Sequence, residues 1–281
     1  MLVVVDALNK ADFPGLLDEM FRLRARVFGD RLGWEVDIRN GREIDKFDAL
    51  DPAYVIGLDD EGHVVSCVRA LQTTGPHMLS DVFSAILDGE APLRSATLWE
   101  STRFCVDTNR LDRGNGRNSV SYATCELMVG SLEYAKNSGI TDIVTVIDPV
   151  MDRVLKRSDN APYGYVGKKT PMGKVPALAA LLDCSDERIN KVRAFAGIEG
   201  DVFADETVMA RLMAAEAERR QAVASSYMQM GMLDNLVQYL NDQYDNAHSD
   251  EERMAVERLA AQLHVVTGMP ETAMLAGRSI A

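Results

Sequence analysis

Three charged side chains lie within segments that otherwise read as apolar β-strands. Arg69 interrupts VVSCVRAL, and Glu100 and Arg103 interrupt ATLWESTRFCVD. An unpaired charge in a protein interior is too costly to tolerate, so each of these residues needs a partner. Any fold of this chain must therefore bring other charged or polar groups against these strands.

A polar block nearer the N-terminus offers such partners. Apolar residues recur there at helical spacing around an arginine: Phe21, Leu23, Arg24, Val27 and Phe28. Trp34 follows, after two glycines that loosen the end of the predicted helix. Glu43, Asp45 and Asp48 come next, at offsets of two and three residues. An irregular loop could therefore bring these three carboxylates together around a cation.

These residues match a known family in type, order and spacing. The pattern consists of Arg24, Phe28, Trp34, Glu43, Asp45 and Asp48, then TTGPHMLSDVF at 73–83 and WESTRF at 99–104. It resembles that of the acyl-homoserine-lactone synthases, the bacterial autoinducer synthases, over about residues 1 to 200. The resemblance implies an α/β fold like that of the GCN5-type acetyltransferases, with a mixed twisted sheet flanked by helices.

The same resemblance implies a two-part reaction. An acyl group passes from an acyl thioester to the amine of S-adenosylmethionine, and the product then closes to a lactone and releases methylthioadenosine. The expected donor is an acyl carrier protein in preference to acyl-coenzyme A. S-adenosylmethionine is then a substrate, and neither a metal nor a cofactor is expected.

Site roles follow for the matched residues. The attacking amine needs a base, and Glu100, flanked by Trp99 and apolar strand residues, is the candidate. The alternative is that Glu100 is a structural partner of Arg103. Arg24 or Arg103 would bind the substrate carboxylate. Glu43, Asp45 and Asp48 would hold those arginines, and Arg69 would complete the network.

Aromatic and hydroxyl side chains are the other candidate contacts. Phe28 and Trp34 would face the sulfonium or the adenine, although burial statistics alone favour a core role for both. Trp99 and Thr102 are expected near the substrate. In the family that the chain resembles, members with a threonine at the position of Thr145 tend to prefer donors with an oxygen at the acyl C3. The alternative is that Thr145 is an ordinary strand residue bonded to a nearby carbonyl.

A local basic cluster is unusual in a chain of net charge −13. It comprises Arg153, Lys156, Arg157, Lys168, Lys169 and Lys174. Carrier proteins are acidic, so Arg153, Lys156 and Arg157 are predicted to steer docking, unless they are only the solvated face of a helix. The segment 110–116 resembles the phosphate loop of GCN5-type enzymes, which supports the fold, but it is one residue too long, which counts against coenzyme A as the donor.

Composition and motifs exclude several other classes. The acidic balance argues against nucleic acid as a partner. Four widely spaced cysteines fit a reduced cytoplasm and show no zinc spacing, and the sequence contains neither HExxH nor GxSxG. The N-terminus lacks a basic region, and no segment reaches membrane-spanning length. We therefore expect a cytoplasmic protein without membrane insertion.

The hydropathy pattern predicts two domains. In residues 1–204 the pattern predicts strands near 53–58, 63–72, 96–106 and 141–148. It also predicts four helices: one over about 12–28, one that ends near Asn137, one that follows Asp148 and one that begins near Ser185. Residues 205–281 read as an acidic helical extension, with a capping box at Ser249 and a stop at Gly268. This extension would mediate homo-oligomerisation or simply cover the synthase domain.

Two other functions compete with the synthase assignment. The first is a GCN5-type N-acetyltransferase that uses acetyl-coenzyme A on a different amine, which the loop spacing disfavours. The second is an inactive, synthase-like regulatory module. The presence of Arg24, Asp45, Asp48, Glu100 and Arg103 argues against the second, because such a module would not need all five.

Overall fold

The computed structural model describes residues 1–111, 119–172, 175–229 and 232–275. They form two compact units. One comprises Met1–Lys10 and Leu16–Glu206, and the other comprises Ala11–Gly15 and the chain from Thr207 onward. A functional boundary at residue 204 stays a prediction.

The larger unit is built on a mixed β-sheet. Within the described residues its strands are β1 (Leu2–Val5), β2 (Ile38–Arg39), β3 (Arg42–Glu43), β4 (Ala53–Leu58), β5 (Val64–Gln72), β6 (Leu98–Val106), β7 (Asp142–Ile147), β8 (Gly164–Met172) and β9 (Val175–Asp183). Seven of them form a sheet in the order β1-β4-β5-β6-β7-β9-β8, and β2 and β3 form a separate ribbon. Only the β6–β7 pair is parallel. The predicted α/β class and mixed sheet are confirmed.

Helices cover this sheet. They are α1 (Pro14–Arg24), α2 (Met78–Asp81), α3 (Val120–Asn137), α4 (Pro149–Arg157) and α5 (Asp186–Ala196). Leu127, Val129 and Leu132 of α3 are buried in the main core. The Asp148 side chain caps α4 by accepting from the N–H groups of Val150 and Met151. The predicted strands and helices are confirmed, with ends that differ by a few residues.

The first helix differs from its prediction in geometry. The α-helical pattern ends at Arg24, and the chain continues as a wider π-helical turn over Ala25–Arg31. π-Helical turns are rare and often lie at functional sites. This one places Phe28 in the interior.

The parallel pair β6–β7 is hydrogen-bonded over only part of its length. Pairing runs from Leu98 opposite Asp142 to Ser101 opposite Thr145. β6 then continues to Val106 without pairing to β7, so the two strands diverge. Residues opposite one another in register share a face of the sheet. Glu100 therefore shares one face with Val144, and Ser101 shares the other with Thr145.

The smaller unit is helical within the described residues. Its helices are α6 (Glu206–Gln229), α7 (Met232–Asp245), α8 (Asp250–Thr267) and α9 (Glu271–Met274). Leu240, Ala260, Met274 and Leu275 form a buried core. The predicted start of α8 is confirmed, because the Ser249 side chain accepts from the Glu252 N–H. A role for this unit in oligomerisation stays a prediction.

None of the helices among the described residues is both long enough and apolar enough to cross a membrane.

Candidate active site

Six charged side chains meet beside β5 and β6, and we call them the ion cluster. They are Arg24, Arg69 and Arg103 with Glu43, Asp45 and Asp48. The three guanidinium groups balance the three carboxylates in formal charge. The sequence predicted that the carboxylates would converge on a cation, and the cations are these arginines.

A short turn fixes two of the carboxylates. Asp45 precedes a 3₁₀ turn over Lys46–Leu50, and its side chain accepts from the Phe47 N–H at 2.9 Å. Asp48 accepts in return from the Asp45 N–H at 2.8 Å. This reciprocal capping box holds both carboxylates in place before any arginine binds them.

Arg24 and Arg69 are completely buried, and their donors are engaged. Arg24 donates to Glu43 at 2.5 Å and to both oxygens of Asp48 at 2.8 and 2.9 Å. Arg69 donates to Asp45 at 2.6 and 2.9 Å and to the Thr102 hydroxyl at 3.0 Å. Each nitrogen of the buried Arg24 guanidinium thus already donates to a carboxylate, which does not fit one of the two expectations, that Arg24 binds the substrate carboxylate.

These contacts shift the pKa of both partners in the Arg24–Asp48 pair. Burial alone would lower the pKa of Arg24, but Asp48 and Glu43 raise it above its usual value. Burial alone would raise the pKa of Asp48, but Arg24 and Arg69 hold it well below its usual range. Both groups are therefore charged at neutral pH.

Tyr54 belongs to the same network, although the sequence did not single it out. Its hydroxyl donates to Asp48 at 2.7 Å, and burial together with the Asp48 charge raises its pKa. The only sequence signal was a tyrosine within an otherwise apolar strand. Tyr54 therefore shares with Arg24 and Arg69 the task of fixing Asp48.

Arg103 differs from the other two arginines because a β-bulge aims it. Arg103 and Phe104 together oppose the single residue Val68, and Arg103 has a φ of +54°. A positive φ is uncommon for a residue other than glycine, and strained backbone of this kind is enriched at active sites. The bulge lets Thr102 and Arg103, neighbours in sequence, both face the ion cluster.

Arg103 is also the arginine that retains donor capacity. Its Nε and Nη2 donate to Glu43 and Asp45, whereas Nη1 has one partner among the described residues, the Met78 sulfur at 3.4 Å. The side chains of Arg103 and Asp45 are 10% and 17% exposed, against 0–4% for the rest of the ion cluster. The Arg103 guanidinium and the Asp45 carboxylate are thus the most accessible members of the ion cluster.

Glu100 lies apart from the ion cluster and is completely buried. Its two oxygens accept from the backbone N–H groups of Met78 and Leu79 at 2.6 and 2.7 Å. Burial raises the pKa of Glu100 to about 7, although both N–H groups act to lower it. The alternative pairing with Arg103 is not formed, because Arg103 binds Glu43 and Asp45 instead.

The two aromatic candidates near the ion cluster, Phe28 and Trp34, differ in exposure. Phe28 is buried and stacks on Trp34 at 5.1 Å between ring centroids, and the Arg103 guanidinium lies 5.5 Å from the centre of the Phe28 ring. Trp34 is 43% exposed, so a core role fits Phe28 and not Trp34. Arg31 donates to the Thr108 hydroxyl at 2.7 Å and thereby ties this segment to the end of β6.

Trp99 and Thr145 lie on the sheet face opposite Glu100. Trp99 packs on Tyr134 of α3, with ring centroids 5.6 Å apart, and lines a small cavity beneath that helix. It therefore does not flank the Glu100 carboxylate as its sequence position suggested, because neighbouring strand residues point to opposite faces. The Thr145 hydroxyl has no hydrogen bond among the described residues, so the expected alternative, a bond to a nearby carbonyl, is absent.

The described basic residues form an exposed patch, which we call the basic surface: Arg153, Lys156 and Arg157 on α4, with Lys168 and Lys169 on β8. A groove of about 230 Å³ runs between α4 and β8. Lys156 pairs with Asp152 at 2.7 Å, and Lys168 pairs with Asp88. Within the described chain, Arg153, Arg157 and Lys169 form no ion pair.

Two parts of the sequence-based donor site are not covered. Lys174 and residues 112–116 of the proposed phosphate loop at 110–116 lie outside the described residues.

Comparison with known proteins identifies the class. An acyl-homoserine-lactone synthase of Agrobacterium fabrum is 39% identical over 170 residues, covering 60% of this chain and 80% of that protein. One of Pseudomonas aeruginosa is 36% identical over 145 residues, covering 51% and 70%. These relatives are acyltransferases. The autoinducer synthase family model matches residues 10–192, and the chain belongs to that family.

Solved structures agree with this assignment. The crystal structure of the acyl-homoserine-lactone synthase LasI is 28% identical, with a TM-score of 0.59 over 73% of this chain and 98% of that one. The coenzyme A-dependent acyl-homoserine-lactone synthase MesI is 27% identical, with a TM-score of 0.62 over 73% and 100%. The protein is thus an enzyme of quorum-sensing signal synthesis, and the rival assignment as an N-acetyltransferase gains no support.

Proposed function

We propose that this protein transfers an acyl group from an acyl thioester to the amine of S-adenosylmethionine, with lactonisation and release of methylthioadenosine. The observation that carries the proposal is the open edge of the ion cluster. Arg103 and Asp45 present one cationic and one anionic group side by side, next to the Phe28–Trp34 stack. An amino acid carries the complementary pair of charges.

The ion cluster would bind the amino-acid end of the substrate. Arg103 Nη1 would exchange its weak contact with the Met78 sulfur for the substrate carboxylate. The Asp45 carboxylate, which already accepts from Phe47, Arg69 and Arg103, would supply negative charge beside the substrate ammonium. Arg24, Arg69, Asp48 and Tyr54 would not touch the substrate. They would hold Arg103 and Asp45 in position through Glu43 and the turn at Lys46–Leu50.

Glu100 would remove the proton that the amine must lose before it attacks. A base works best when its pKa lies near the working pH, and burial brings the pKa of Glu100 to about 7. Because both oxygens already accept backbone N–H groups, we propose that the proton reaches Glu100 through a water molecule rather than by direct contact.

Lactonisation would depend mainly on orientation. The sulfonium is already a good leaving group, so the site must hold the carboxylate against the γ-carbon. Trp34 is exposed enough to cover the adenine or the sulfonium, and Phe28 supports it from below. Thr102 would act indirectly, by fixing Arg69.

The acyl donor would approach where β6 and β7 diverge. There the Thr145 hydroxyl would donate a hydrogen bond to an oxygen at the acyl C3. We propose an acyl carrier protein as the preferred donor, because Arg153 and Arg157 supply unpaired positive charge for an acidic partner. MesI shows that the family also contains coenzyme A-dependent members.

The decisive experiment is to incubate the purified protein with S-adenosylmethionine and a panel of acyl-carrier-protein and acyl-coenzyme A thioesters. Mass spectrometry should detect methylthioadenosine and an acyl-homoserine lactone in equal amounts. Arg103→Ala serves as the matched control for background hydrolysis. Two results would refute the two-part reaction: methylthioadenosine without any acylated product, or acylated S-adenosylmethionine without lactone.

A further inference from the structure

The segment before α2, residues 73–77, places the groups that hold Glu100. The N–H groups of Met78 and Leu79, the first two residues of α2, donate to the two Glu100 oxygens. Because α2 has only four residues, its own hydrogen bonds contribute little to keeping its first turn in place. The position of these two N–H groups therefore depends on the segment that leads into the helix from β5.

Two side chains converge on the segment before α2. Arg94 Nη1 donates to the carbonyl oxygens of Thr73, Thr74 and Gly75, at 3.3, 3.1 and 2.8 Å. His77 is completely buried, and its Nδ1 lies 3.0 Å from the Gly75 oxygen. Since a carbonyl oxygen can only accept, Nδ1 carries the proton in this contact. His77 and Arg94 thus both donate to the Gly75 carbonyl, directly before α2.

Stability alone does not explain a histidine at position 77. With the proton on Nδ1, Nε2 is an acceptor, and it is buried without a hydrogen-bond partner among the described residues. Such an acceptor destabilises the folded state, and an apolar side chain of similar size avoids that cost. The Gly75 oxygen also has Arg94 as a donor, so the fold does not need His77 to satisfy it.

We propose that His77 is a positioning residue for Glu100: it holds the two N–H groups of α2 against the Glu100 carboxylate, with Arg94 as a second support. This inference rests on the proposed function, in which Glu100 is the base. His77 itself touches neither the substrate nor the reacting atoms in this proposal, and it acts through the backbone of the segment before α2.

The position of the two N–H groups matters because they act on the protonation of Glu100. Burial raises the pKa of Glu100, and both N–H groups lower it. Among the charged side chains nearby, Arg69 on β5 also lowers the pKa of Glu100, and Asp81 on α2 raises it. If the segment before α2 loosens, the two hydrogen bonds weaken and the pKa of Glu100 rises further. Less of the base form is then present at neutral pH.

The test uses two variants that differ in one donor. Asn and Leu have nearly the same shape, but the Asn side-chain N–H can replace Nδ1–H as a donor to the Gly75 oxygen. The kcat–pH profile should have its midpoint near pH 7 in wild type and in His77→Asn. In His77→Leu the midpoint should lie roughly half to one pH unit higher. At pH 7 that shift lowers kcat about twofold to fivefold, with KM for S-adenosylmethionine unchanged.

Two further variants sharpen the test. His63→Leu is the matched control, because His63 lies in the turn between β4 and β5 and not in the segment before α2. It should leave the midpoint unchanged, which excludes a general effect of removing a histidine. Arg94→Met should move the midpoint in the same direction as His77→Leu but by less, because one Arg94 nitrogen is shared among three carbonyls.

The outcomes separate this inference from the function it rests on. If wild type makes no lactone from any donor, the proposed function is wrong. If lactone forms but Glu100→Gln keeps the midpoint near pH 7, another group is the base and the inference fails with that assignment. If Glu100→Gln removes the midpoint and His77→Leu shifts it no more than His77→Asn does, the positioning role is wrong. If His77→Leu lowers the melting temperature and lowers kcat equally at every pH, His77 supports only the fold.

Discussion

The ion cluster and the basic surface both concentrate charge, but they use it in opposite ways. In the ion cluster, every guanidinium contacts carboxylates at hydrogen-bonding distance, and four of the six side chains are almost completely buried. On the basic surface, Arg153 and Arg157 are exposed and form no ion pair within the described chain. Charge in the first region holds positions, whereas charge in the second is available to a partner.

This difference predicts different consequences of mutation. Removing one partner from a buried pair leaves the other charge unsolvated, so the cost appears in folding as well as in activity. Removing an exposed, unpaired charge costs folding almost nothing and changes the rate of encounter. Salt should leave the first region largely unaffected and weaken the second, because screening acts mainly on exposed charges.

The largest effect is expected for Asp48→Ala. This change leaves Arg24 and Arg69 buried without the carboxylate they share, which should lower the free energy of unfolding by roughly 3–5 kcal/mol and abolish activity. Asp45→Ala should lose comparable activity with a smaller loss of stability, because Asp45 is the more exposed carboxylate. Urea unfolding of both variants measures the difference. Equal stability losses would contradict the division between supporting and substrate-binding carboxylates.

A second comparison contrasts two arginines within the ion cluster. Arg103→Lys keeps the charge but loses the open guanidinium edge, so KM for S-adenosylmethionine should rise about tenfold or more with little loss of stability. Arg24→Lys should lower the melting temperature and leave KM nearly unchanged, because Arg24 is saturated by Glu43 and Asp48. Steady-state kinetics and thermal unfolding of both variants decide the matter. If KM rises more in Arg24→Lys than in Arg103→Lys, then Arg24 and not Arg103 binds the substrate carboxylate.

Glu100 is a third kind of ionisable group: it is buried, accepts from backbone N–H groups and forms no ion pair within the described residues, so pH should reveal it. Its folded-state pKa of about 7 lies above the usual value of 4.5, so the folded protein binds this proton more tightly than the unfolded chain does. Stability should therefore fall as pH rises from about 4.5 to 7, by up to roughly 3 kcal/mol. Activity should rise over the upper part of that window, as the base form appears.

Glu100→Gln separates the base from a purely structural carboxylate. In the variant, activity should no longer rise as the pH approaches 7. The fall in stability between pH 4.5 and 7 should also disappear. If activity in the variant still rises through pH 7 with the same midpoint, another group supplies the base.

Much of this site could be predicted from sequence, for a physical reason. The rule that buried charges need partners predicted that Arg69 and Arg103 would be paired, and the family resemblance implied the distant carboxylates as those partners. Hydropathy periodicity placed the strands that carry the two arginines. Which arginine keeps a free edge could not be predicted, because it depends on a bulge that re-aims Arg103. Tyr54 and Met78 look like ordinary core residues until their partners are known.

Other parts were open to prediction and were misjudged. Strand alternation alone places Trp99 on the face opposite Glu100, and sequence adjacency obscured this. The same alternation pairs Ser101 with Thr145 once the parallel register is known. Register between distant strands is set by tertiary packing, so Ser101 could not be assigned to the cavity, nor paired with Thr145, from the sequence alone.

The smallest effect is expected at the basic surface, and it tests the comparison most directly. Arg153→Glu with Arg157→Glu should weaken the use of an acyl carrier protein about tenfold at low salt, through a slower encounter. The defect should shrink towards nothing near 1 M salt, where the screening length is about 3 Å. Turnover of short pantetheine thioesters and the melting temperature should not change. Lys156→Glu should do less than either reversal, because Asp152 already offsets its charge.

Lys136→Glu with Lys191→Glu provides the control, since it makes the same change in net charge on α3 and α5 instead of on α4. Both lysines are exposed and pair with carboxylates, so their reversal tests whether net charge alone slows the encounter. If the control impairs carrier-protein use as strongly as the α4 variant, the overall field of the protein, and not the basic surface, governs docking. If the α4 variant loses activity equally with carrier-protein and pantetheine donors, its arginines support the fold, and the contrast with the ion cluster fails.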